Sequence, residues 1–159
     1  MNEAVTEYTL PLATDQQQLD VVGGKGRSLA RLTNAGFNVP GGFHVTTKAY
    51  RAFVDSHDLQ GRIIRSARPA LVDRRMSFEA SSADIQTLFG AHAMPDRVAA
   101  AVADAYAGFS GAPPVAVRSS ATAEDLPDLS FAGQQETFLN VTGEAAVIEA
   151  VRRCWASLW

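Results

Sequence analysis

The stretch VVGGKGRSLARL, Val21 to Leu32, sets three glycines around one lysine and then turns amphipathic. Glycine lets the backbone approach a ligand closely. Amides at a helix start favour negative charge, by roughly 0.3–1 kcal/mol at an exposed position. Lys25 adds a mobile point charge. The pattern is not the P-loop spacing, because no Ser or Thr follows the lysine, and the glycines are too close for a dinucleotide fingerprint. Two readings fit the residues alone: a phosphate cradle, or a glycine turn with a solvated lysine.

Working outward, the spacing predicts a helix over 25–35, with Leu29 and Leu32 three apart, Ala30 beside them and Gly36 as the stop. Residues 8–12 read as a short strand before it. Pro40-Gly41-Gly42 is a turn, followed by a strand over 43–45 and a helix over 47–56 that buries Tyr50, Phe53 and Val54. Residues 59–75 carry five arginines with Ile63, Ile64, Leu71 and Val72, which most simply mark a helix surface. Residues 82–90 form one short helix. Pro95 opens another, with Val98, Val102 and Tyr106 four apart. GAPPVAVRSS gives a turn and a buried strand over 115–117, with Arg118 at its exit. A polar loop runs to about Gly133 and a strand ETFLNV follows.

The last segment carries Val147, Ile148, Val151, Cys154, Trp155 and Leu158 along one helical stripe. The sequence ends at Trp159 inside that pattern, with no cap. The expectation is a partial domain whose remainder lies elsewhere, with Trp155, Leu158 and Trp159 as a sticky surface.

The bulk numbers agree with an ordered domain. The chain has 159 residues, 47% of them hydrophobic, and a net charge of −3. That charge argues against a broad nucleic-acid footprint. Cys154 is the sole cysteine, so neither an internal disulfide nor a cysteine-built zinc site is available. No apolar run approaches the roughly 20 residues of a membrane helix, and the N-terminus does not read as a signal peptide. A cytoplasmic protein without nucleic-acid or membrane partners is expected.

Two further segments suit phosphate chemistry. The fork of Arg118, at a strand exit, matches phosphate oxygens bidentately; the alternative is a surface pair with Glu124 or Asp125. SFAGQQET, Ser130 to Thr137, is a small-residue loop whose amides and hydroxyls can fold over a polyphosphate, or a plain turn. Glu124, Asp125 and Asp128 form an acidic loop, better read as solvated than as magnesium ligands. His44, His57 and His92 show no metal-ligand spacing.

The blocks VGGKGRSLARLTNAGFNVPGGFHVTTKAYRAF and VAVRSSATAEDLPDLSFAGQQETFLNV…AVRRCWASLW resemble the N-terminal nucleotide-binding domain of phosphoenolpyruvate synthases. The same domain is found in pyruvate phosphate dikinases and rifampicin phosphotransferases. The resemblance implies an α+β fold, the N-terminal portion of an ATP-grasp domain, with residues 1–159 covering only part of it. It implies ATP and Mg2+ as cofactors, and phosphorylation of a histidine on a separate domain. The phosphoryl group then passes to pyruvate or to a rifamycin hydroxyl.

By position, Lys25 resembles the lysine that contacts ATP phosphates and Arg118 the arginine that clamps them. Gly133, Gln134 and Thr137 belong to the glycine loop expected to close over the triphosphate. The magnesium ligands, the phosphohistidine domain and the acceptor domain find no match in this chain. Its expected partners are therefore ATP and either the remainder of the enzyme or a full-length relative. The rival expectation is a non-catalytic remnant that binds nucleotide or a partner without turnover.

Overall fold

The computed structural model describes residues 8–73, 75–122 and 136–159. Two elements open it: strand β1, Thr9–Pro11, and helix α1, Leu19–Asn34. They are followed by β2, Phe43–Val45, then helices α2, Thr47–Ser56, and α3, Gln60–Ser66. A hairpin comes next, β3, Ala70–Val72, and β4, Arg75–Ser77. Helices α4, Glu79–Gly90, and α5, Asp96–Ala107, precede strands β5, Val115–Arg118, and β6, Thr137–Val141. Helix α6, Glu144–Ala156, completes an α+β arrangement.

The described strands form three antiparallel pairs: β1 with β2, β3 with β4 and β5 with β6. Leu10 lies opposite His44, which turns both into the interior. Val117 lies opposite Phe138, and Arg118 opposite Thr137. Between Val117 and Val115 strand β5 takes two steps, while β6 takes three from Phe138 to Val141. The extra residue is accommodated at Asn140, whose φ of 55° is left-handed, a conformation asparagine tolerates better than most residues.

The core is helical. Phe53 of α2, Phe89 of α4 and Trp155 of α6 pack together, with ring centroids 5.2 Å and 5.7 Å from that of Phe53. Val98, Val102 and Tyr106 of α5 are buried beside them, as their four-residue spacing predicts. The Tyr106 hydroxyl donates to the Pro113 carbonyl at 2.9 Å and accepts from the Gly143 amide at 3.0 Å. One side chain thus ties the approach to β5 to the start of α6.

Three expectations need correction. Helix α1 starts six residues before Lys25, because a first turn at Leu19 joins the main helix across a break at Gly23. Residues 59–75 are not one helix surface. Pro69 has no amide to continue α3, and the chain turns instead into the β3–β4 hairpin. Trp155 is only 8% exposed, so it belongs to the core and not to a sticky surface; Leu158 and Trp159 are exposed.

Candidate functional site

The lysine turn is built around the break in α1. Gly23 has φ 71° and ψ 178°, a region essentially confined to glycine. Its neighbour in space is Ser120, ninety-seven positions later in the sequence. A methyl group at Gly23 would overlap the Ser120 carbonyl and hydroxyl oxygens, so only glycine fits. Ser120 Oγ donates to the Val22 carbonyl at 2.9 Å and accepts from the Gly26 amide at 3.0 Å. The Gly24 amide donates to the Ala121 carbonyl at 3.0 Å.

These bonds correct one expectation directly. The amides of Gly24 and Gly26 do not face a ligand; they are taken up by the segment that follows β5. Their role is to fix the turn. Lys25 lies between the two pinned glycines and is half-buried. Arg118 is the last residue of β5, two positions before Ser120. The structure therefore joins the lysine turn and the arginine strand end into one unit. Sequence separation hid this, because nothing local in VRSSA identifies Ser120 as the partner of a glycine turn so far upstream.

Arg118 and Thr137 are directly opposed and exposed, and opposed residues share a face of the ribbon. The other face belongs to Val117 and Phe138. Val117 packs against the core, and the Arg153 guanidinium lies 4.3 Å from the Phe138 ring centroid. Arg118 and Thr137 thus project away from α6. Thr137 is the first residue of β6, within the strand expected over ETFLNV and at the end of the segment read as a glycine loop. Gly133 and Gln134 lie outside the described residues, as do Glu124, Asp125 and Asp128.

His44 completes the surroundings. It is buried in β2, with Nε2 3.4 Å from the Leu12 carbonyl oxygen. A methyl group at Gly26 would stand 3.2 Å from its Nδ1. Burial holds its pKa below the ordinary histidine value; the Leu12 hydrogen bond opposes that shift without cancelling it. A neutral imidazole therefore backs the lysine turn. Alternation in FHV sets His44 on the face opposite Phe43 and Val45, so nothing local signals its burial or its closeness to Gly26.

No three His, Cys, Asp or Glu side chains converge to hold a metal ion among the described residues. The described part thus offers no donor set to fit magnesium. Nor is any helix among the described residues long and apolar enough to cross a membrane. What the geometry offers is one half-buried and one exposed cation on rigid elements, suited to an anionic ligand.

Residues 19–159 match the family described as pyruvate phosphate dikinase, AMP/ATP-binding domain. The chain belongs to that family. It is 44% identical to a rifampicin phosphotransferase of Streptomyces sviceus, over 100% of this chain and 18% of that protein. It is 46% identical to a phosphoenolpyruvate synthase of Aeropyrum pernix, over 89% of this chain and 18% of the relative. A phosphoenolpyruvate synthase of Pyrococcus furiosus is 38% identical over 91% of this chain and 22% of its own length. The chain thus spans about a fifth of these relatives and corresponds to ATP-binding sequence within them. As a member of the dikinase AMP/ATP-binding family, it carries both blocks of residues that form the unit around Ser120.

Proposed function

We propose that this chain holds the triphosphate of ATP on one side of an ATP-grasp site, through Lys25 and Arg118. The observation that carries this is the Ser120 bridge. It fixes the turn bearing Lys25 against the strand end bearing Arg118, in a chain of an ATP-binding family. Lys25 acts as a point charge and Arg118 as a planar fork for phosphate oxygens. Thr137, opposite Arg118, adds a hydroxyl at the same edge. Gly133 and Gln134 supply the covering loop.

The reaction served is ATP-dependent phosphoryl transfer through a phosphohistidine, with pyruvate or a rifamycin as final acceptor. Relatives carrying both names match at similar identity, so the ATP end does not choose the acceptor. Magnesium, when bound, neutralises phosphate charge during such transfer. Its ligands and the histidine domain belong to the remainder of the enzyme, and residues 1–159 are one part of the nucleotide domain in a cytoplasmic protein. In this chemistry positioning and charge stabilisation supply nearly all the catalysis. The chain alone is expected to bind without turnover.

The test is a comparison of ATP, AMP and adenosine by calorimetry on the folded chain. The reading predicts that affinity rises with the phosphates. Equal affinity for adenosine and ATP would remove Lys25 and Arg118 from the site.

A further inference from the structure

The β3–β4 hairpin contributes no residue to the core. All three residues of β3 are exposed, as are Arg75 and Met76 of β4. Leu71 and Met76 are directly opposed and are 72% and 63% exposed. Val72 is 52% exposed and Phe78, just after β4, is 56% exposed. A two-stranded ribbon with no apolar face covered is marginally stable by itself. Its outer edges also present rows of backbone groups that a third strand can pair.

The charge around it is mainly positive, with the acidic Asp58 and Glu79 just outside it. Residues 60–78 hold five arginines, Arg62, Arg65, Arg68, Arg74 and Arg75, against Asp73, a local charge of +4 in a chain of net −3. Arg62, Arg65, Arg68 and Arg75 are exposed, and none pairs with a described acidic residue. This charge decides between occupants. A second copy would bring arginines against arginines. A lipid surface would leave the open backbone edge unsatisfied in hydrocarbon. An extended acidic segment satisfies the edge, the apolar side chains and the arginines together, by strand addition.

We infer that the β3–β4 hairpin docks an extended acidic segment with apolar side chains at alternate positions, held by strand pairing along one outer edge of the ribbon, by apolar contact with Leu71 and Met76 and by the surrounding arginines. The probe is a fluorescent peptide of four glutamate–valine repeats, followed by anisotropy. Saturable binding is expected. It should weaken by roughly tenfold or more in Leu71→Ser/Met76→Ser and separately in Arg68→Ala/Arg75→Ala, each checked for folding by circular dichroism. Added salt should weaken it, and N-methylation of alternate peptide amides should abolish it. The inference is overturned by absence of binding, by binding that neither pair of substitutions changes, or by equal binding of a lysine–valine peptide. It is equally overturned if Leu71→Ser/Met76→Ser abolishes a dimer seen in sedimentation, or if phosphatidylserine vesicles bind the hairpin while the peptide does not.

Discussion

Gly23 and Ser120 fit together so closely that no side chain can be added at Gly23. The left-handed backbone of Gly23 makes the space that the Ser120 side chain fills, and Ser120 then bonds the residues on either side of the break. Lys25 and Arg118 owe their common placement to this contact.

Gly23→Ala is therefore expected to be severe. It adds backbone strain of about 1–3 kcal/mol and a steric overlap with main chain that cannot move aside. A fall in Tm of roughly 10 °C is expected by calorimetry. Ser120→Ala removes two hydrogen bonds and leaves the Gly26 amide short of its partner. A loss of about 2 kcal/mol is expected, with ATP affinity falling alongside.

Acid should loosen the same region. The pKa of His44 is lower in the fold than its ordinary value of 6.5, because burial disfavours its charge. The unfolded chain then binds the proton more tightly, so stability rises with pH across that interval. Full stability is expected above about pH 6.5, with a decline as pH falls from there toward the folded pKa. Denaturant midpoints measured from pH 7.5 to 5 should show this decline. In His44→Gln the decline should be shallower; an unchanged slope would assign it to other groups.

Tyr106→Phe keeps the ring and removes the hydroxyl shared by Pro113 and Gly143. About 2 kcal/mol of stability and roughly 6 °C of Tm should be lost. Thermal unfolding followed by circular dichroism measures it. A loss within experimental error would mean that water replaces the hydroxyl.

Cys154 should be inert in the native chain. Burial first, and the carboxylate of Glu136 second, push its pKa up to about 12, and Arg153 offsets little of this. The thiolate is the reactive form. Alkylation at pH 8 should be slow in the folded chain and complete after denaturation.

The helical core was legible because its pattern is local. Val98, Val102 and Tyr106 recur every four residues, and α6 shows the same stripe, so periodicity found both. The bounds of β2 and α2 follow from a Pro-Gly-Gly turn and the apolar residues after it. The hairpin at 70–77 was missed because Leu71, Val72 and Met76 are exposed there, and apolar residues that face solvent leave no inside–outside alternation to read. The types and chain positions of Lys25 and Arg118, the proposed phosphate contacts, were readable. Their connection was not, because it runs through one serine hydroxyl and two glycine amides, nearly a hundred residues apart.

The most direct measurement is ATP binding by calorimetry to the folded chain, beside Lys25→Ala and Arg118→Ala. A charge-assisted hydrogen bond contributes about 1.5–3 kcal/mol. Each substitution should therefore weaken ATP by roughly 10- to 150-fold while leaving Tm almost unchanged. ATP binding that neither substitution weakens would contradict the account.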